Sequence, residues 1–300
     1  MTNVSLANDL EVRMPTVDVL GSTMHFEDQG GGAPHVFLHG NPASSHLWRK
    51  VLPLVGGRRL APDLIGMGRS GKPDIAYGYD DHARYLDAWF DAVGLDEVVL
   101  VGIDWGGSLA FDWAARNPGR VRGVAFMETI LKPMSRAEFP EAAWDRFQAL
   151  KDAAFDADLA LGFLEQALAH TVLTGLSAAD ADVYREPFLA PESRRPLLEW
   201  PRAMPLDGRP AEVVARVEEY DEWLMKSTDV PKLLLTFDTS PTLMVREVLT
   251  KWCVDTVASL EHVHCGPAGH LAPEDQPEAI AAAINDWSGR YWGNGGPDRA

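Results

Sequence analysis

Asp104 stands among glycines in Gly102-Ile103-Asp104-Trp105-Gly106-Gly107. A carboxylate is ionised at neutral pH, so it needs no base to make it a nucleophile. Attack on a saturated carbon would give an alkyl ester and expel a leaving group. Two further residues could complete such chemistry. Glu128 follows the run Val121–Met127, and His270 ends the loop Gly266-Pro267-Ala268-Gly269-His270. A histidine oriented by a carboxylate can take a proton from water and direct it at the ester.

The elements around these residues must bring them together. Glu97–Val101 is a short β-branched apolar run and reads as a buried parallel strand. Ser108–Ala115 reads as a helix, stopped by Asn117-Pro118-Gly119. Strand, tight turn and helix around a polar residue flanked by glycines is the nucleophile-elbow pattern. The glycines are needed because the turn is strained and its close neighbours must lack side chains. Asp also caps isolated helices well; the glycines and the preceding strand favour the nucleophile. Asp104, Glu128 and His270 each follow a predicted strand, so they share the sheet's carboxyl edge. Asp238, directly after the strand Lys232–Phe237, competes with Glu128 for the acid's place, and Glu128 is favoured. His39 is read as bracing the loop that it begins, and His262 and His264 as lying on one face of the last strand.

In chain order, an opening pair of strands is expected over residues 10–28, from Leu10–Met14 and Met24–Glu27. Strands His35–Leu38 and Arg59–Pro62 follow, with a helix between them carrying Trp48, Val51 and Leu52. Gly66–Lys72 matches two phosphate-loop patterns, but Pro73 occupies the hydroxyl position and no helix opens until about Asp80. Nucleotide binding needs a helix N-terminus at once after the loop, so these glycines are read as loop punctuation. A helix over Asp80–Val93 and the strand Val121–Met127 keep the alternation, which implies a mostly parallel sheet covered on both faces. From Lys132 to Pro210 the rhythm breaks. Helical patches lie at 142–150, 159–168 and 178–184, and six prolines fall between Pro187 and Pro210. This stretch is expected to be a helical insertion over the sheet's carboxyl edge. Then come a helix Ala211–Lys226, strands Lys232–Phe237 and Leu260–His264, a closing helix Pro277–Trp287 and a tail from Gly293.

Composition narrows the partners. There are 44 acidic and 27 basic residues among 300, for a net charge of −17. That argues against nucleic acid or an anionic membrane as partner. Cys253 and Cys265 are too few for a disulfide framework and are not spaced as a metal site. No secretory signal is visible and no run nears the ~18 apolar residues of a membrane span. The expectation is a soluble, cytoplasmic enzyme with no metal and no cofactor.

The chain resembles the haloalkane dehalogenases of the α/β-hydrolase superfamily over roughly residues 20 to 290. The resemblance is densest in His39–Pro42, Ala61–Ser70, Asp104–Gly106, Met127-Glu128 and Tyr184–Phe188. It implies an α/β-hydrolase fold with a mostly parallel central sheet flanked by helices and a helical cap. The core would span 1–131 and 211–300, and the cap 132–210. Position by position it implies Asp104 as nucleophile, Glu128 as acid, His270 as base, and Asn41 with Trp105 as the halide-binding pair. An indole N–H and a carboxamide NH₂ are suitable donors to a departing halide. Their backbone N–H groups would form the oxyanion hole. The products would be alcohol, halide and a proton, and the partner a small apolar halogenated substrate. Phe139, Phe147, Phe163, Ala167, Thr171, Pro201, Met204 and Leu243 are expected to line pocket and tunnel.

Two positions depart from the pattern: Ile103, where many relatives carry a polar residue such as His, and Phe237–Pro241, which is unfamiliar. An epoxide hydrolase shares the elbow but needs acidic lid tyrosines, and candidates are scarce: Tyr184 lies within the shared motif, Tyr220 is read as beyond the lid, and Asn41 stands where that family tends to carry an aromatic. A fluoroacetate-type enzyme would carry Arg after Asp104. A luciferase-like monooxygenase on the same scaffold, or a ligand-binding receptor, are the more remote alternatives.

Overall fold

A computed structural model describes residues 15–139, 141–238 and 240–292, with the side chain of Ala142 left out. The expected strand at Leu10–Met14 and the tail from Gly293 lie outside the described residues. Eight strands form one sheet in the order β1-β2-β4-β3-β5-β6-β7-β8. They are β1 Thr16–Val19, β2 Ser22–Gln29, β3 Pro34–Leu38, β4 Arg58–Pro62, β5 Val98–Asp104, β6 Val121–Thr129, β7 Lys232–Asp238 and β8 Leu260–Pro267. β1 pairs with β2 and β2 with β4 antiparallel; every other pairing is parallel.

The central strands read as unbroken apolar runs because helices cover both sides of them. All seven residues of β5 are buried. Helices α1 Tyr79–Val93 and α2 Trp105–Arg116 lie next to each other, and α2 packs on β5 and β6. The core is rich in large aromatic side chains, including the fully buried Trp48, Trp89, Trp113, Trp200 and Trp287.

After β6, and before α7, come four helices and, among the described residues, no strand: α3 Glu141–Asp152, α4 Ala157–His170, α5 Ala178–Arg185 and α6 Arg195–Ala203. Helix α6 sits against both α3 and α4. Lys151 of α3 clamps the segment leaving α6 by donating to the carbonyls of Arg202, Met204 and Arg209. The chain then returns through α7 Ala211–Lys226, α8 Glu247–Thr256, α9 Ala272–Asp275 and α10 Pro277–Trp292.

One local expectation is corrected, and two helices lie where no individual element was expected. The helix expected around Trp48–Leu52 is two short 3₁₀ turns, Ser45–Trp48 and Leu52–Leu54, with Pro53 in the second. Leu47, Trp48, Val51, Leu52 and Val55 are buried at helix-like spacing, which is why the stretch reads as one helix. Helix α6 forms inside the proline-rich stretch because Pro196 sits in its first turn, where a missing N–H costs nothing. Helix α8 lies in a stretch with no expected element. Among the described residues, no helix is long and apolar enough to cross a membrane.

Candidate active site

The elbow is built as its glycines imply. Asp104 has φ 51° and ψ −131°, a conformation that side chains rarely adopt. Close packing holds it there. A Cβ on Gly106 would lie 2.2 Å from the Leu38 carbonyl oxygen, and one on Gly102 would lie 2.5 Å from Gly107 Cα. Thr129 Oγ1 donates to the Asp104 carbonyl at 2.6 Å.

Glu128 arrives by a device that the sequence pattern hid. Along β5 and β6, Ile103 pairs with Met127 but Asp104 pairs with Thr129. Glu128 is therefore the extra residue of a bulge, with φ 44°. The bulge turns its side chain off the ladder. Its Oε2 accepts from Met244 N–H at 2.7 Å and its Oε1 from Val245 N–H at 3.1 Å. These donors satisfy a carboxylate that is 1% exposed.

His270 stands between the two acids. Its Nδ1 is 3.2 Å from Glu128 Oε2, and its Nε2 is 3.7 Å from Asp104 Oδ1. The loop carrying it is tied to the end of α4. Leu271 N–H donates to the Thr171 carbonyl at 3.0 Å, and a Cβ on Gly269 would strike that same oxygen at 2.2 Å. Burial works to lower the imidazole pKa, but the carboxylates of Asp104 and Glu128 outweigh it and push it up to about 10.

Asn41 follows β3, the neighbour of β5, and its backbone N–H donates to Asp104 Oδ2 at 2.7 Å. That leaves Oδ1 as the oxygen free to react. The Asn41 carboxamide is positioned by a proline. Pro201 lies inside α6 and has no N–H to offer the carbonyl four residues back. That carbonyl, on Leu197, accepts from Asn41 Nδ2 at 3.2 Å instead. One Nδ2 hydrogen remains for a ligand. Trp105 is stacked on Trp200 at 4.8 Å, and Trp200 on His82 at 4.0 Å, which fixes the indole plane. Burial lowers His82 to about 3, so it packs there as a neutral ring. Nothing among the described residues accepts from the Trp105 indole N–H.

Asn41, Asp104, Trp105 and His270 face one cavity of about 240 Å³. Of the expected lining, Phe139, Phe147, Phe163, Ala167, Thr171, Pro201 and Met204 are present. Leu243 is not; it is buried, and Pro241, Thr242 and Met244 line that side. Arg146, Gln166 and His170 also line the cavity and were not expected, because polar residues on an amphipathic helix look like a solvated face.

The competing assignments have other partners. Asp238 is exposed and sits 3.0 Å from His264 Nε2, away from His270. His262 Nε2 is 2.7 Å from Thr236 Oγ1. His39 braces its loop as expected, accepting from Leu64 N–H at 2.9 Å. Tyr184 donates to Glu274 at 2.7 Å and Tyr220 to the Ile130 carbonyl at 2.8 Å. Neither faces the cavity, so no tyrosine among the described residues is available to protonate an epoxide oxygen.

The α/β hydrolase fold family matches residues 34–277. A haloalkane dehalogenase of Mesorhizobium japonicum is 42% identical over 281 residues, covering 90% of this chain and 89% of its own length. One of Agrobacterium fabrum is 41% identical over 283 residues, covering 93% and 92%. Among solved structures, the haloalkane dehalogenase DatA of Agrobacterium tumefaciens C58 superposes with a TM-score of 0.87 at 40% identity, over 93% of this chain and 97% of that one. DbeA of Bradyrhizobium elkani gives 0.86 at 40% identity, over 92% and 97%.

Proposed function

The chain belongs to the haloalkane dehalogenases of the α/β hydrolase fold, and from that premise we propose how its own residues divide the hydrolysis of a carbon–halogen bond. Asp104 Oδ1 attacks the halogen-bearing carbon while the halide leaves with the bond's electron pair. The free Nδ2 hydrogen of Asn41 and the indole N–H of Trp105 receive the halide. Neither donor can be lost to the leaving group as a proton, and in a dry apolar cavity their bonds to an anion are strong.

The alkyl ester then changes its neighbour. Esterification removes the negative charge of Asp104, one of the two carboxylates that hold the His270 pKa near 10. The imidazole becomes a weaker holder of its proton and a competent base once the ester exists. His270 takes a proton from water, and the hydroxide oxygen adds to Cγ of Asp104. The developing oxyanion on Oδ2 keeps the Asn41 backbone N–H at 2.7 Å. Collapse breaks the Cγ–Oδ1 bond, and the alcohol departs with Oδ1 and the proton from His270. The regenerated carboxyl releases the second proton of water. Halide, alcohol and one proton balance the reaction.

The observation that carries this reading is the alignment Asp104–His270–Glu128 beside Asn41 and Trp105 on one apolar cavity. The domain division is also our proposal: a cap over 132–210, holding α3 to α6, on a core of 1–131 and 211–300. The substrate is a small halogenated molecule with an apolar body. Halide released from short bromoalkanes tests the scheme. Wild type turns over, Asp104→Ala releases nothing, and His270→Ala gives one equivalent of bromide with the ester trapped. Steady turnover by His270→Ala would contradict it.

A further inference from the structure

The cavity wall changes character from floor to mouth. Asp104, Asn41 and Trp105 are buried, whereas Arg146, Gln166 and His170 are exposed and belong to α3 and α4. Arg146 Nη1 donates to Gln166 Oε1 at 2.7 Å, and its guanidinium lies 5.1 Å from the centre of the Phe163 ring. These two contacts fix the guanidinium at the rim. They use one of its five N–H donors.

No acidic side chain answers this charge. Asp145, next to it in the chain, goes to Arg136 at 3.4 Å, and Glu165 goes to Arg185 at 2.7 Å. Among the described residues, no carboxylate lies within ion-pairing distance of Arg146. The cation also stands against apolar wall, where partial burial lowers its pKa. A held cation without a partner, at the open end of a cavity whose floor takes halide, is suited to an anion at the far end of the substrate. Arg offers a carboxylate two parallel N–H donors.

We infer that Arg146 is a specificity residue for halogenated substrates that carry a carboxylate at the end remote from the halogen. This deepens the dehalogenase reading and rests on it. In such a substrate the halogen-bearing carbon meets Asp104, the alkyl chain lies between Phe147, Phe163 and Met204, and the carboxylate meets Arg146 at the rim. The chain's net charge of −17 disfavours anions at long range, so a local cation is what would admit one.

The test is bromide release from terminally brominated hexanoate and octanoate, beside the bromoalkanes of equal carbon count. The proteins are the full chain, Arg146→Gln and Arg146→Lys. Position 146 is exposed on α3, where Gln is as good a helix former as Arg. The quantity read is the ratio of kcat/KM for the bromocarboxylate to that for the bromoalkane. It should fall about tenfold in Arg146→Gln, through KM rather than kcat, and recover partly in Arg146→Lys. An equal ratio in all three proteins overturns the inference, as does wild type that turns over bromoalkanes but no bromocarboxylate. If wild type releases bromide from neither class, the dehalogenase reading itself fails, and this inference with it.

Discussion

Replacing Glu128 by Gln changes one oxygen for an NH₂ and leaves the volume alone, so its effect can be worked out atom by atom. Both carboxylate oxygens accept from backbone N–H groups, Oε2 from Met244 and Oε1 from Val245. A carboxamide has one acceptor, so its NH₂ must face one of these donors. If it faces Val245, one buried hydrogen bond is lost and two donors oppose each other, which costs about 1–3 kcal/mol of stability. If it faces Met244, it also meets His270 Nδ1, now 3.2 Å from Oε2. The imidazole must then accept at Nδ1 and carry its proton on Nε2, the tautomer that cannot deprotonate water. In either orientation the charge that stabilises the imidazolium is gone. Ester hydrolysis should slow by about a hundredfold to ten-thousandfold, while the alkylation step, which needs no base, keeps most of its rate. Rapid-quench bromide measurements should show a burst of one equivalent followed by slow turnover, with the alkyl group found on Asp104 by mass spectrometry. A variant whose burst is slowed as much as its steady state, with no ester accumulating, would refute this reasoning.

Further outcomes follow from the same geometry. In Gly40→Ala the new Cβ would lie 2.2 Å from Asp104 Oδ2 and 2.6 Å from its Cβ, so the nucleophile is displaced and the bromide burst disappears; an intact burst would contradict the packing. Asp238→Asn should keep steady-state dehalogenation within about twofold, because an exposed ion pair contributes little and Asp238 pairs with His264; loss of activity there would return the acid's role to Asp238. Because the His270 pKa rises from 6.5 unfolded to about 10 folded, its contribution to stability is full below pH 6.5 and is lost as pH climbs through about 10. The gap in Tm between wild type and His270→Gln should therefore narrow between pH 6.5 and about 10, and a gap that widens would refute the coupling.

The sequence told most about elements whose cause is local or doubly buried. The β5 run and the elbow glycines carried their own explanation, and α7 began and ended where Pro210 and Ser227 imply. The site residues that follow strands were legible for the same reason, since parallel strands deliver their ends to one edge. What stayed hidden depends on tertiary partners. The bulge at Glu128 exists only in the pairing of β5 with β6. The role of Pro201, which leaves the Leu197 carbonyl open for Asn41, depends on where α6 docks over the end of β3. The place of Arg146 on the cavity wall depends on how α3 and α4 pack together, which brings it to Gln166.

The covalent ester on Asp104 is the centre of the account, and isotopically labelled water tests it most directly. In a single turnover of a bromoalkane in ¹⁸O water, excess enzyme should yield alcohol without label, because its oxygen comes from Oδ1. The label should appear in the peptide that contains Asp104. Labelled alcohol in that first turnover, with unlabelled Asp104, would mean that water attacks the substrate directly and would contradict the mechanism.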